Sequence, residues 1–85
     1  MYQVVIEKRA QKQLGQIPEP WYAKIRKALL ELANNPRPHG YIKLKGRSAF
    51  RIRVGDYRII YSVRDNNLTV FILLIGNRKD IYDIG

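Results

Sequence analysis

The chain has 85 residues and no cysteine, with 16 Lys+Arg against 7 Asp+Glu and a formal net charge of +9. Disulfides, thiolate metal sites and a cysteine nucleophile are thereby excluded, and 46% apolar residues are too many for a disordered chain. The start, MYQVVIEKRA, lacks a basic-then-apolar leader and no apolar run approaches ~18 residues, so one soluble cytoplasmic domain over residues 1–85 is expected, with no membrane span.

The elements follow in chain order. YQVVIE alternates Tyr2, Val4 and Ile6 against Gln3, Val5 and Glu7, the period of a strand. KRAQKQLGQI places Ala10, Leu14 and Ile17 on one helical face, weakened near its end by Gly15. PEP punctuates, and Pro20 suits the first turn of a second helix with the stripe Tyr22, Ile25, Leu29 and Leu32. NNPRPHG ends it, through an asparagine in a left-handed cap and two prolines. YIKLKG is a short strand or an extended entry. Residues 49–54 and 57–63 then alternate with period two about Gly55-Asp56, DNN marks a turn, and LTVFILLI reads as a central strand covered on both faces and ended by Gly76. NRKDIYDIG is a polar tail with room for one helical turn. The order β-α-α-β-β-β predicts an α+β fold, a small twisted, largely antiparallel sheet with a two-helix hairpin on one face.

Charge is uneven along this order. Residues 41–64 contain Lys43, Lys45, Arg47, Arg51, Arg53, Arg58 and Arg64 but one acid, Asp56. Such clustering favours a polyanionic partner, nucleic acid before an acidic protein. A two-residue type II′ loop at Gly55-Asp56 would set Val54 opposite Tyr57, Arg53 opposite Arg58, Ile52 opposite Ile59, Arg51 opposite Ile60 and Phe50 opposite Tyr61. Opposed residues share a face. One face then carries Phe50, Ile52, Val54, Tyr57, Ile59 and Tyr61, and the other gathers Arg51, Arg53 and Arg58 with Ile60 and Ser62. A solvated face would account for one arginine; convergence of three points to an anion site. The final strand, running antiparallel to residues 57–63, would return Asn77 and Arg78 to the Gly55-Asp56 end, with Tyr82 within reach.

LKG…FRIRVGDYRIIYSV (Leu44 to Val63) and LLIGNRKDIYD (Leu73 to Asp83), in this order, resemble the RelE family of toxins in the RelE/ParE superfamily. The resemblance covers nearly the whole chain. It implies a toxin of a type II toxin–antitoxin system: a ribosome-dependent endoribonuclease that cuts mRNA in the ribosomal A site, without metal or cofactor, and is inhibited by a RelB-like antitoxin. The implied partners are that antitoxin, the ribosome and mRNA, with operator DNA only as a toxin–antitoxin complex. The family's functional pattern falls on Arg51 and Arg53 before the turn, Arg58 after it, Arg78 after the last strand, and Tyr82 near the C-terminus.

In that chemistry the adjacent 2′-OH attacks the scissile phosphate. The step needs a base, donors for the charged transition state and an acid for the departing 5′-oxygen. Arginine's planar fork suits the second task. Arg58 is assigned to the scissile phosphate, Arg51 and Arg53 to phosphate binding and transition-state charge, Arg78 to the phosphate or leaving oxygen, and Tyr82 to base stacking or proton abstraction. Lys43, Lys45 and Arg47 are candidates for mRNA or rRNA contacts. Where some relatives carry lysines this chain has Arg51 and Arg53, which do not readily give up a proton, and Asn77 stands where some carry Lys or His. His39 reads as a surface loop residue, Trp21 and Tyr22 as helix packing, and apolar residues on the outer helix faces as candidates to receive the antitoxin. Two alternatives stay open: a ParE-like poison of DNA gyrase, and a catalytically weak module that binds RNA or antitoxin.

Overall fold

The computed structural model describes residues 1–81. Its elements are β1 (Gln3–Ile6), α1 (Lys8–Leu14), α2 (Trp21–Asn34), β2 (Ile42–Lys43), β3 (Phe50–Val54), β4 (Tyr57–Arg64), β5 (Thr69–Asn77) and α3 (Arg78–Ile81), with a short 3-10 turn, Asp65–Asn67, between β4 and β5. The five strands form one sheet in the order β1-β5-β4-β3-β2. β1 runs parallel to β5 and the remaining pairs are antiparallel. The expected α+β class holds, and YIKLKG contributes a two-residue edge strand.

The helices cover one face. Ala10 and Leu14 of α1 and Ile25, Leu29 and Leu32 of α2 pack on Ile52, Ile59, Tyr61, Val70, Ile72 and Ile75. Fully burying an aliphatic side chain of this size contributes about 1.5–3 kcal/mol, so this layer dominates the stability of a small domain. Glu19 accepts a hydrogen bond from the Ala23 N–H at 3.0 Å, setting an anionic cap at the start of α2. Tyr61 is fully buried, its hydroxyl donates to the Pro36 carbonyl at 2.8 Å, and burial pushes the phenol up to about 12.

β5 lies between β1 and β4, as its apolar run predicts, but does not end at Gly76: Arg58 pairs with Gly76 and Tyr57 with Asn77. A register shift lies between Ile60, opposite Leu74, and Tyr61, opposite Ile72. The extra residue, Leu73, changes the phase of the strand. Val70, Ile72 and Ile75 therefore all face the helices, and Leu74 faces the other way. On that second face Leu74 and Ile60 are covered by Leu44 and Ala49, from the loop between β2 and β3.

Helix α2 ends differently from the expectation. Asn35 is extended (φ −149°, ψ 100°), not left-handed. It precedes Pro36, whose ring disfavours compact conformations in the residue before it. Pro20 lies just before the first helical residue, Trp21. A polar clamp closes the opposite end of the molecule. Arg37 donates to both Asp65 carboxylate oxygens, at 3.1 and 2.9 Å, and the Tyr2 hydroxyl donates to Asp65 at 2.6 Å. The Arg37 guanidinium also lies over the Phe50 ring, 5.6 Å from its centroid.

Candidate active site

The β3–β4 hairpin has the register that its alternation predicts, residue for residue from Phe50–Tyr61 to Val54–Tyr57. Gly55 takes φ +60°, the left-handed value the first position of this turn requires. Arg51, Arg53 and Arg58 consequently stand on the sheet face away from the helices. That face is less open than a solvated sheet: Arg58 is 8% exposed and Ile60 is 1% exposed. The Nε atoms of Arg51 and Arg58 are buried with no hydrogen-bond partner. Burial, then the charges of Arg58 and Arg53, hold the Arg51 guanidinium below its ordinary value. Folding has thus desolvated two cationic donors and placed a third beside them with no anion among the described residues, an arrangement complementary to an incoming phosphate.

The hairpin tip is held from two sides. The Trp21 ring lies against Gly55 so closely that a Cβ there would meet Trp21 Cζ3 at 2.3 Å. Trp21 also packs on Tyr57, ring centroids 6.0 Å apart, beneath the Lys24 ammonium at 4.8 Å. Trp21 thus serves helix packing, as expected, and its partner is the tip of the arginine hairpin. No local pattern signals this, because the contact joins positions far apart in the chain. On the other side the Arg78 N–H donates to the Asp56 carbonyl at 2.8 Å, so the start of α3 lies beside the tip. Asn77 accepts a hydrogen bond from the Lys79 N–H at 3.1 Å and caps α3, a role its place in the sequence did not reveal.

The remaining candidates separate. Lys45 and Arg47 are exposed on the loop whose Leu44 and Ala49 pack on the arginine-bearing face. Lys43 pairs with Phe50 and so belongs to the opposite side of the sheet, apart from the three arginines. Tyr82 lies outside the described residues. His39 borders a groove of about 500 Å³ between α2 and the β3 edge, together with Glu31, Leu32 and Arg53.

The family model described as ParE toxin of type II toxin-antitoxin system, parDE, matches residues 4–82. No curated protein matches. The chain is similar to a chain of the archaeal RelE-RelB complex from Pyrococcus horikoshii, at 33% identity over 93% of this chain and 97% of that one, with a TM-score of 0.82. It is similar to a chain of the intact E. coli RelBE toxin-antitoxin complex at 26% identity, covering 91% and 96%, TM-score 0.79. For the RelB-RelE antitoxin-toxin complex from Methanococcus jannaschii the values are 28%, 94%, 96% and 0.76.

Proposed function

This chain belongs to the ParE toxin family, within the RelE/ParE superfamily of type II toxin–antitoxin toxins, and from that premise we propose that it is a ribosome-dependent endoribonuclease acting on mRNA in the A site. The observation that carries this reading is Arg58, 8% exposed with an unpartnered Nε, beside a half-buried Arg51 whose Nε likewise has no partner among the described residues. A toxin acting only by protein contact has no need of that desolvated charge.

In this reading Arg58 holds the scissile phosphate. Arg51 and Arg53 stabilise the charge that builds as the 2′-OH attacks, and the cyclic phosphate forms as the bond to the 5′-oxygen breaks. Arg78, next to the hairpin tip, serves the phosphate or the leaving oxygen. Tyr82 stacks on a base or takes the 2′-OH proton. No metal is required, because the arginines supply the charge. Lys45 and Arg47 contact mRNA or rRNA beside the floor, and Lys43 does so from the other side of the sheet. The protein works in the cytoplasm as one domain. A RelB-like antitoxin restrains it, by analogy with the toxin–antitoxin complexes it resembles. Leu30, 63% exposed on the outer side of α2, and the groove along β3 are surfaces for that partner.

Membership of the ParE toxin family keeps a second reading, the ParE-like poison of DNA gyrase raised by the sequence. Induced expression separates the two. Growth arrest with mRNA cut at fixed codon positions and intact DNA supports the ribonuclease. Arrest with DNA damage and intact mRNA supports the gyrase poison.

A further inference from the structure

β2 pairs only with Phe50 and Arg51. Ile52, Arg53 and Val54 therefore have a strand, β4, on one side, and the groove of about 500 Å³ borders Ile52 and Arg53 on the other. Arg53 and Arg58 oppose each other on this last stretch of the ladder, and their repulsion works to part the strands. Strand ends with few neighbours are where a sheet opens most readily. A phosphate site built on this end needs something to hold the two strands in place.

Trp21 stands at that place. A Cβ on residue 55 would collide with Cζ3 and Cη2 of its ring, so only a glycine lets the ring come this close to the turn. The same ring meets Tyr57, the first residue after the turn, and lies beneath the Lys24 ammonium. Trp21 is the first residue of α2, and Ile25, Leu29 and Leu32 anchor that helix in the main core. The tip is thereby tied to a fixed element on the helix side, while Arg53 and Arg58 stand on the other face. The turn passes the restraint on. The Asp56 carbonyl accepts from the Arg78 N–H at 2.8 Å, so the same turn places the backbone of Arg78.

We infer that Trp21 is a positioning residue for the arginine site. Through the Gly55-Asp56 turn it holds Arg53 and Arg58 in register and sets Arg78 beside the tip. The inference rests on the RNA-cleaving reading and concerns what keeps that site in shape. Trp21 acts from the helix side of the sheet, through the arginines and not on the RNA itself. Such a brace governs the rate of the bound complex, because misplacing a reacting group by about 1 Å costs on the order of 10²-fold.

The test compares wild type, Trp21→Ala and Trp21→Phe in single-turnover cleavage, with each protein in excess over ribosomes programmed with one mRNA. Trp21→Ala is expected to lower the maximal rate constant by about 10- to 100-fold and to leave the half-saturating concentration unchanged. Trp21→Phe keeps a ring against Gly55 and recovers most of the rate. Trp21→Leu, apolar but without a flat ring, serves where Trp21→Ala fails to fold. A tryptophan that only stabilises the fold gives the opposite split: a smaller folded fraction raises the half-saturating concentration and spares the maximal rate constant. That split, or wild-type kinetics in the folded variant, overturns the inference. Amide hydrogen exchange reads the brace without any cleavage. Exchange at the Arg78 N–H is expected to quicken about tenfold in Trp21→Ala, the order of one net hydrogen bond, with Val70 to Ile72 of β5 unchanged. If wild type leaves mRNA intact, the RNA-cleaving reading fails, and exchange at Arg78 decides the brace by itself: an unchanged rate overturns it.

Discussion

Arg53 and Arg58 stand directly opposite each other across the β3–β4 ladder, two cations on neighbouring strands with Arg51 diagonal to Arg58. Like charges in this relation repel. Arg58 is also nearly buried and has an unpartnered Nε. The arrangement is unfavourable for the isolated protein and favourable once a phosphate enters.

The first prediction follows from that opposition. Arg58→Met retains the apolar stem and removes the buried charge, so it should stabilise the free protein by about 1–2 kcal/mol, the sign found when unpaired buried charge gives way to apolar packing. In a domain of this size that raises Tm by several degrees, on the order of 5–10 °C. Inorganic phosphate should raise the Tm of wild type and not of the variant, because it binds only the folded arginine site. Calorimetry with and without phosphate measures both. A Tm that falls in Arg58→Met would show that the arginine serves the fold.

A second prediction concerns the clamp at the other end of the molecule. The hydrogen bond from Arg37, then that from Tyr2, holds the Asp65 carboxyl down to about 2 from 3.8. A depressed carboxylate contributes stability above its unfolded value that is lost as pH falls through the folded one. The window is therefore about pH 4 to 2. The hydrogen bond to Asp65 raises the Tyr2 phenol above 10.0, so its contribution is present below pH 10 and fades above it. Because Arg37 and Asp65 are 39% and 56% exposed, solvent and salt weaken the pair. Thermal melts should show Asp65→Asn flatter than wild type between pH 4 and 2. Parallel curves would dismiss the clamp as a source of acid sensitivity.

The Trp21–Gly55 contact gives a third. Gly55→Ala adds a Cβ 2.3 Å from the Trp21 ring at φ +60°, so overpacking and backbone strain act together, and a loss of about 2–4 kcal/mol is expected. In a Trp21→Ala background the overpacking vanishes and only the strain, about 1–2 kcal/mol, remains. Urea denaturation of the four proteins measures the coupling. Additive effects would mean that the ring does not press on the turn.

Much of this was legible because the hairpin obeys local rules. A period of two fixes which side chains share a face, and a glycine at the first turn position fixes the register. The gathering of Arg51, Arg53 and Arg58 needed nothing more. The unbroken apolar run of β5 marked its central place but hid the shift at Leu73, because every residue around it is apolar and no alternation betrays a change of phase. The burial of Ile60 was likewise invisible. It depends on a loop folding back over the second face, and Leu44 and Ala49 carry no periodic signal. Lys43 lies near the arginines in sequence, but pairing with Phe50 puts it on the other side. Trp21 meets Gly55 only because the sheet brings α2 to the turn, a contact of long sequence separation.

The central claim is that Arg58 on this hairpin holds the phosphate being cleaved. Primer extension on an mRNA under translation by purified ribosomes, comparing wild type with Arg58→Ala, tests it most directly. Wild type should cut within the A-site codon, and Arg58→Ala should cut at least about 10²-fold more slowly, the scale for losing one transition-state donor. Unchanged cleavage by Arg58→Ala, or intact mRNA with the wild-type protein, would contradict it.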